Sequence, residues 1–277
     1  MNDYKRVLTI QDISCFGQCS LTVALPIISA CGIECVSLPS AVLSTHTYNF
    51  TGFTFRDLTD DIPGISEHWN KENIKFDAVY TGYIGSQKQI EYIKDIMSSN
   101  AAKDALKIVD PAMGDNGALY PLFDSAYAKA TLSLCCYADI ILPNITEACF
   151  MLDAEYKETY DEQYVKELAA QLYSLTGAKV VFTGISYEEG RTGVVVYDGS
   201  EYSYYDHFKY PVGSHGTGDV YSSSFVGALL RGKDIRDAAR IAADFTLKCI
   251  AKSKEYPDHW YGPAFEPVLP ELINMLK

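Results

Sequence analysis

From its first residues to about residue 185, the chain alternates short β-type apolar runs with longer stretches whose apolar residues recur at helical spacing. This alternation restricts the fold more than any other feature. Residues 6–10 (RVLTI), 34–38 (ECVSL), 78–82 (AVYTG), 107–110 (KIVD), 139–142 (DIIL) and 179–183 (KVVFT) read as strands, each followed by a polar, Gly- or Pro-containing loop. Between them, residues 20–30 place Leu21, Ala24, Leu25 and Ile28 on one helical face, with Gly32 as the stop, and residues 87–97 and 162–175 repeat the pattern. Strand, loop and helix in regular turn predict an α/β fold with a largely parallel sheet covered on both faces. Ligands in such sheets sit beyond the C-terminal strand ends. The loops that matter are then those after Ile10, Leu38, Gly82, Asp110, Leu142 and Thr183. Neither a linker nor a repeat interrupts the 277 residues, so one domain spanning 1–277 is expected.

The texture changes at residues 193–210, where GVVVYDG and EYSYYDHFKY read as an antiparallel hairpin turning at Asp198 and Gly199. Its tyrosines read as cross-strand packing. Residues 213–230 then lead into a helix. Near the C-terminus, the prolines and aromatics of residues 254–273 suggest a loop docked on the body before a short final helix, with no chemistry of its own.

Composition excludes several classes. With 23 Lys and Arg against 36 Asp and Glu, the formal charge is −13, the reverse of the basic footprint that nucleic acid requires. The opening MNDYKRVLTI lacks the pattern of a signal peptide, and no run approaches the length of a spanning helix, so a cytoplasmic protein with no membrane partner is expected. Eight cysteines include two pairs at a spacing that could seed a metal site, Cys15 with Cys19 and Cys31 with Cys35. Their apolar neighbours favour buried free thiols instead.

The strongest chemical signal is Gly216-Thr217-Gly218-Asp219, followed by an amphipathic run. Two glycines let the backbone turn sharply and approach a ligand, and the first amides of the helix form an anion site that needs no Lys or Arg. The spacing leaves two roles open for Asp219: a charge that stabilises the helix start, or a base that accepts a proton while the amides hold developing negative charge.

Six further segments accompany that signal in one order along the chain: residues 7–17 (VLTIQDISCFG), 41–47 (AVLSTHT), 81–85 (TGYIG), 109–115 (VDPAMGD), 143–147 (PNITE) and 182–184 (FTG). Together they resemble the ribokinase superfamily, and within it the pyridoxal kinases, along nearly the whole length. The resemblance implies a three-layer α/β/α fold without a separate lid domain, since residues 8–38 leave room for one helix only. It also implies transfer of the ATP γ-phosphoryl group to the 5′-hydroxyl of a vitamin B6 vitamer, and a homodimer. Asp219 matches the family's base, and the amides of Gly216, Thr217 and Gly218 its anion hole. Asp110, Asp115 and Glu147 match acidic positions near the phosphates, where carboxylates acting partly through water suit Mg²⁺; a monovalent cation such as K⁺ is a further candidate. Asn144 and Thr183 match nucleotide positions, and Thr47 and Tyr83 match contacts to the pyridine ring, with His46 adjacent. Read from the residues alone, Asp110 could equally be a strand-end turn residue, Glu147 a first-turn helix charge and His46 a structural histidine.

Asp12 departs from the family pattern, in which Ser is common. An ionised carboxylate only accepts hydrogen bonds, so Asp12 is expected to favour the ammonium of pyridoxamine over a phenolate. Hydroxymethylpyrimidine kinases and sugar kinases of the same superfamily are the alternative activities. The former usually carry a Gly-rich opening loop and often Cys where this chain has Asp219. A catalytically silent B6-binding protein is the non-enzyme alternative, and the retained acidic set argues against it.

Overall fold

The structure is a computed structural model that describes residues 4–211 and 215–277. Gly213 and Ser214, which precede the glycine motif, lie outside those residues. The strands are β1 (Arg6–Ser14), β2 (Glu34–Leu43), β3 (Phe55–Asp57), β4 (Ala78–Thr81), β5 (Leu106–Val109), β6 (Gly114–Asp115), β7 (Ala118–Leu119), β8 (Ile140–Ile141), β9 (Lys179–Ile185), β10 (Arg191–Tyr197) and β11 (Tyr202–Phe208). The helices are α1 (Leu21–Ala30), α2 (Ile62–Lys71), α3 (Gln87–Ser98), α4 (Ser125–Cys135), α5 (Ile145–Leu152), α6 (Glu162–Thr176), α7 (Thr217–Leu230), α8 (Ile235–Ser253) and α9 (Leu269–Met275). All six strands expected from the sequence form and pair in parallel, in the order β9-β8-β5-β4-β1-β2. Antiparallel strands close the edges: the β10–β11 hairpin beside β9, and β3 beside β2.

Side-chain alternation along the strands builds the three layers. Val7, Tyr80, Ile108, Ile140 and Val181 point toward α1, α7, α8 and α9. Their neighbours Leu8, Val79, Val109, Ile141 and Val180 point toward α3, α4, α5 and α6. Burying each such side chain contributes about 1.5–3 kcal/mol relative to leaving it in water, so both faces of the sheet resist sliding or tilting. Helix α7 is buried nearly all round and carries Ser222, Ser223, Ser224 and Gly227 where larger residues would not fit. A Cβ on Gly227 would run into the Cys31 sulfur at the end of α1. The glycine motif thus heads a helix wedged against the sheet.

The hairpin turns where expected, at Asp198 and Gly199, within a four-residue turn over 198–201 in which Asp198 Oδ1 accepts from the amides of Ser200 and Glu201. Its tyrosines pack as expected: Tyr197 faces Tyr202 across the two strands, and Tyr202 and Tyr204 pack against the core, Tyr204 with Tyr187 of the preceding loop edge-on at 4.8 Å. All eight cysteines are free. Cys19, Cys31, Cys135, Cys149 and Cys249 are buried, whereas Cys15 and Cys136 are exposed, a departure from the expected burial. Among the described residues no helix is long and apolar enough to cross a membrane.

Candidate active site

The C-terminal strand ends open onto a cleft of about 390 Å³, within the usual range for a small-molecule site. Nine residues expected to act on the phosphates or the nucleotide line it: Asp110, Asp115, Asn144, Glu147, Thr183 and the run Gly216, Thr217, Gly218 and Asp219. Gly216 is the N-cap of α7 with φ +86, a conformation that L side chains rarely adopt, and a Cβ there would collide with the Gln18 carbonyl oxygen. Gly218 is exposed and a Cβ would meet nothing within 4 Å. The first glycine therefore shapes the turn, and the second leaves the approach to the helix amides open.

Asp219 sits half-buried in the first turn of α7. Burial pushes its carboxyl up to about 7, against a hydrogen bond from the Ser20 backbone and with the charge of Asp12 adding to the rise. A carboxyl poised there is half ionised near neutral pH, the useful range for a general base. Ser20 itself has φ 51 and ψ −131, an unusual backbone for a non-glycine residue at the N-cap of α1. It also bonds the Asp12 side chain, so one strained residue touches both acids. Nothing in the sequence marked Ser20, because a Ser before a helix ordinarily caps it and here makes no capping bond.

The acids near the phosphate side divide by environment. Asp110 accepts a 2.6 Å hydrogen bond from Ser222 Oγ of α7, and Asp115 is exposed on the β6–β7 turn, bonded to Asn116. Glu147 accepts from the amides of Met113 at 3.1 Å and Asn144 at 2.8 Å, and Asn144 Oδ1 in turn accepts from the Glu147 amide. These two residues form a capping box for α5, so each has a structural role in addition to lining the cleft. Burial raises the carboxyls of both Asp110 and Glu147, and Asp110 adds to the rise at Glu147. Among the described residues no three His, Cys, Asp or Glu side chains converge on a common cation position. Buried hard oxygens without a closed cage fit a Mg²⁺ held largely by phosphates and water, which is how that ion is ordinarily bound.

The four residues expected at the pyridine ring lie outside this cleft. Asp12 is 5 % exposed, held by Ser14 Oγ at 3.1 Å, where the β1–β2 register slips by one residue and re-aims the strand end. Burial pushes its carboxyl up. Tyr83 is half-buried against Phe123 at 5.3 Å, and burial together with Asp12 pushes its phenol to about 12. His46 is 2 % exposed, its Nε2 is 3.0 Å from the Tyr261 carbonyl, and its ring lies against Phe50 and His215. That is the structural role the sequence left open for it. Thr47 is exposed on the next position of the same loop.

Several lining residues had no sequence signal. Tyr120, itself 38 % exposed, borders the cleft, and desolvation at the cleft wall together with the charges of Glu147, Asp115, Asp219 and Asp110 pushes its phenol up. The far wall comes from Val194, His207, Thr246 and Ile250 of the hairpin and α8, which are ordinary strand and helix residues until the fold brings them together.

A family model described as phosphomethylpyrimidine kinase matches residues 26–264. The chain is 30% identical over 189 residues to the hydroxymethylpyrimidine/phosphomethylpyrimidine kinase of Aquifex aeolicus, covering 66% of this chain and 71% of that one. It is 28% identical over 238 residues to the pyridoxal kinase PdxY of Vibrio vulnificus, covering 82% and 80%. Among solved structures, a Bacteroides thetaiotaomicron protein named for phosphomethylpyrimidine kinase and crystallised with pyridoxal superimposes with a TM-score of 0.92 at 36% identity, covering 97% of this chain and 96% of that one. Pyridoxal kinase from Lactobacillus plantarum superimposes with a TM-score of 0.91 at 29% identity, covering 98% and 97%.

Proposed function

Since this chain belongs to the phosphomethylpyrimidine kinase family, a group of ribokinase-like kinases, we propose that it phosphorylates the 5′-hydroxyl of vitamin B6 vitamers with ATP. The observation that carries this reading is the position of Asp219. It follows the anion loop directly, in the first turn of α7 and inside the acid-lined cleft, and its carboxyl feels the charge of Asp12. A hydroxyl presented between Asp12, Tyr83 and Asp219 would meet a γ-phosphate lying over the amides of Gly216, Thr217 and Gly218. The pyridoxal found with the Bacteroides protein supports a B6 vitamer as the acceptor.

In the proposed reaction Asp219 takes the hydroxyl proton as the substrate oxygen bonds phosphorus in line. The bond from phosphorus to the β-phosphate bridging oxygen breaks, and ADP leaves with that oxygen. The α7 amides hold the charge on the transferred group, and the protonated Tyr120 hydroxyl offers a further donor from the opposite wall. Asp110, Asp115 and Glu147 would hold Mg²⁺ through water and the phosphates, and that ion supplies charge neutralisation when bound. Asn144 and Thr183, with Val194 and Thr246, would border the nucleotide.

The Aquifex relative favours hydroxymethylpyrimidine as a second acceptor. One experiment separates the readings: Mg-ATP with pyridoxal, pyridoxamine, pyridoxine, hydroxymethylpyrimidine and ribose, followed for phosphorylated product. Preferential turnover of the three vitamers supports the proposal. Turnover of hydroxymethylpyrimidine alone, or of none, refutes it.

A further inference from the structure

Residues 259–263, in the segment whose sequence suggested only a docked loop, meet three site loops. The Tyr261 carbonyl accepts the Gln18 amide at 3.0 Å, and His46 Nε2 lies 3.0 Å from the same oxygen. A carbonyl has two lone pairs and can accept both, which assigns the His46 proton to Nε2. The Tyr261 ring lies 4.6 Å from Phe16, and Trp260 lies 4.7 Å from Phe50. Gly262 is buried so tightly against the opening loop that a Cβ would fall 2.5 Å from Gln18 Cβ and 3.0 Å from its oxygen.

Two paths lead from that carbonyl into the site. Through Gln18 it reaches the phosphate side, because Gly216 of the anion loop rests directly on the Gln18 oxygen and Ser20, two residues on, bonds Asp219. Through His46 it reaches the acceptor side, since Thr47 follows His46. We propose that this C-terminal strap is a positioning element, in which the Tyr261 carbonyl sets the distance between the acceptor loop and the anion loop. The inference rests on the kinase reading for its effect on turnover, and on geometry alone for the strap itself. Displacing a reacting group by about 1 Å is enough to cost roughly 10²-fold in rate.

The test uses Gly262→Ala and the pair His46→Leu and His46→Gln in the full chain. In Gly262→Ala the added methyl meets Gln18 at a φ of +154 and must lift the strap. Amide hydrogen exchange at Gln18 reports that movement without reference to activity. Expected are faster exchange at Gln18 and a kcat lower by about 10–100-fold. His46→Gln, which keeps a side-chain N–H for the carbonyl, should recover most of the kcat that His46→Leu loses. A tail that merely stabilises the fold would lower the melting temperature and leave kcat unchanged below it. Turnover within twofold of wild type in Gly262→Ala, with Gln18 exchange accelerated, overturns the proposal.

If the wild type phosphorylates nothing in the substrate panel, the kinase reading falls and the strap is judged by calorimetric binding. Gly262→Ala must then weaken the binding of pyridoxal, of ATP or of both by about tenfold or more. Unchanged binding of both ligands, with Gln18 exchange accelerated, overturns it. Should the His46 variants fail to fold, Gly262→Ala alone decides.

Discussion

Replacing Asp219 by Asn should remove turnover and stabilise the fold at the same time. Burial lifts the carboxyl from an ordinary 3.8 to about 7, so above pH 7 the native protein holds an ionised group that it disfavours relative to the unfolded chain. At about 1.4 kcal/mol for each pH unit between those values, the cost has an upper bound of about 4 kcal/mol. Asp219 keeps part of its surface open to the cleft, and water there relieves a share of that cost. We therefore expect about 2 kcal/mol, a rise of roughly 3–4 °C in melting temperature for a chain of this length. The sign follows from the raised native value. Below pH 3.8 both states are protonated and no penalty exists; it grows as pH rises and is complete above about 7. Thermal unfolding of both proteins at pH 5, 6, 7 and 8, with a kinase assay on the same samples, measures the two effects. The gain should widen across that series while turnover falls about 10²–10⁴-fold. A difference in melting temperature that is independent of pH, or an Asn variant less stable at pH 8, would refute the account of a desolvated base.

Wild-type kcat/KM for the acceptor should rise with pH through about 7, falling about tenfold per unit on the acid side, because only ionised Asp219 accepts the proton; a flat profile between pH 5.5 and 8 excludes that role. Asp12→Ser should lower the ratio of kcat/KM for pyridoxamine to that for pyridoxal by about tenfold, the worth of one charge-assisted hydrogen bond; an unchanged ratio removes Asp12 from selectivity. Gly216→Ala and Gly218→Ala should differ. The first strains the turn against Gln18 and lowers the melting temperature by several degrees, whereas the second meets open space and leaves stability intact while slowing phosphoryl transfer. Equal melting temperatures for the two variants would contradict the assigned division of labour.

How far the sequence was legible depended on how local each cause is. Parallel strands buried on both faces leave continuous apolar runs, so β1, β2, β4, β5, β8 and β9 could be read directly, and the GTGD turn announced itself through two glycines before a helix. Strand β3 has only three residues, all exposed, and pairs with a distant overhang of β2, so no periodicity reveals it. The acids of the cleft could be located but not sorted. That Glu147 is also held by the Met113 amide and Asp110 by Ser222 are contacts across 34 and 112 residues, respectively, whereas the Asn144–Glu147 capping box is local. Ser20 meets Asp219, and Tyr261 meets Gln18 and His46, through backbone atoms, whose chemistry is the same in every residue type and leaves no trace in the letters.

The bond from Gln18 to Glu266 spans 248 residues, and that from His46 to Tyr261 spans 215. Contacts that close such long loops form late, after the sheet between them has condensed. During synthesis, the opening and acceptor loops leave the ribosome long before the strap that joins them. If the strap acts as proposed, alignment of the two loops waits for residues 259–266, and a chain that has emerged only to about residue 250 holds the lining of the acidic cleft without it.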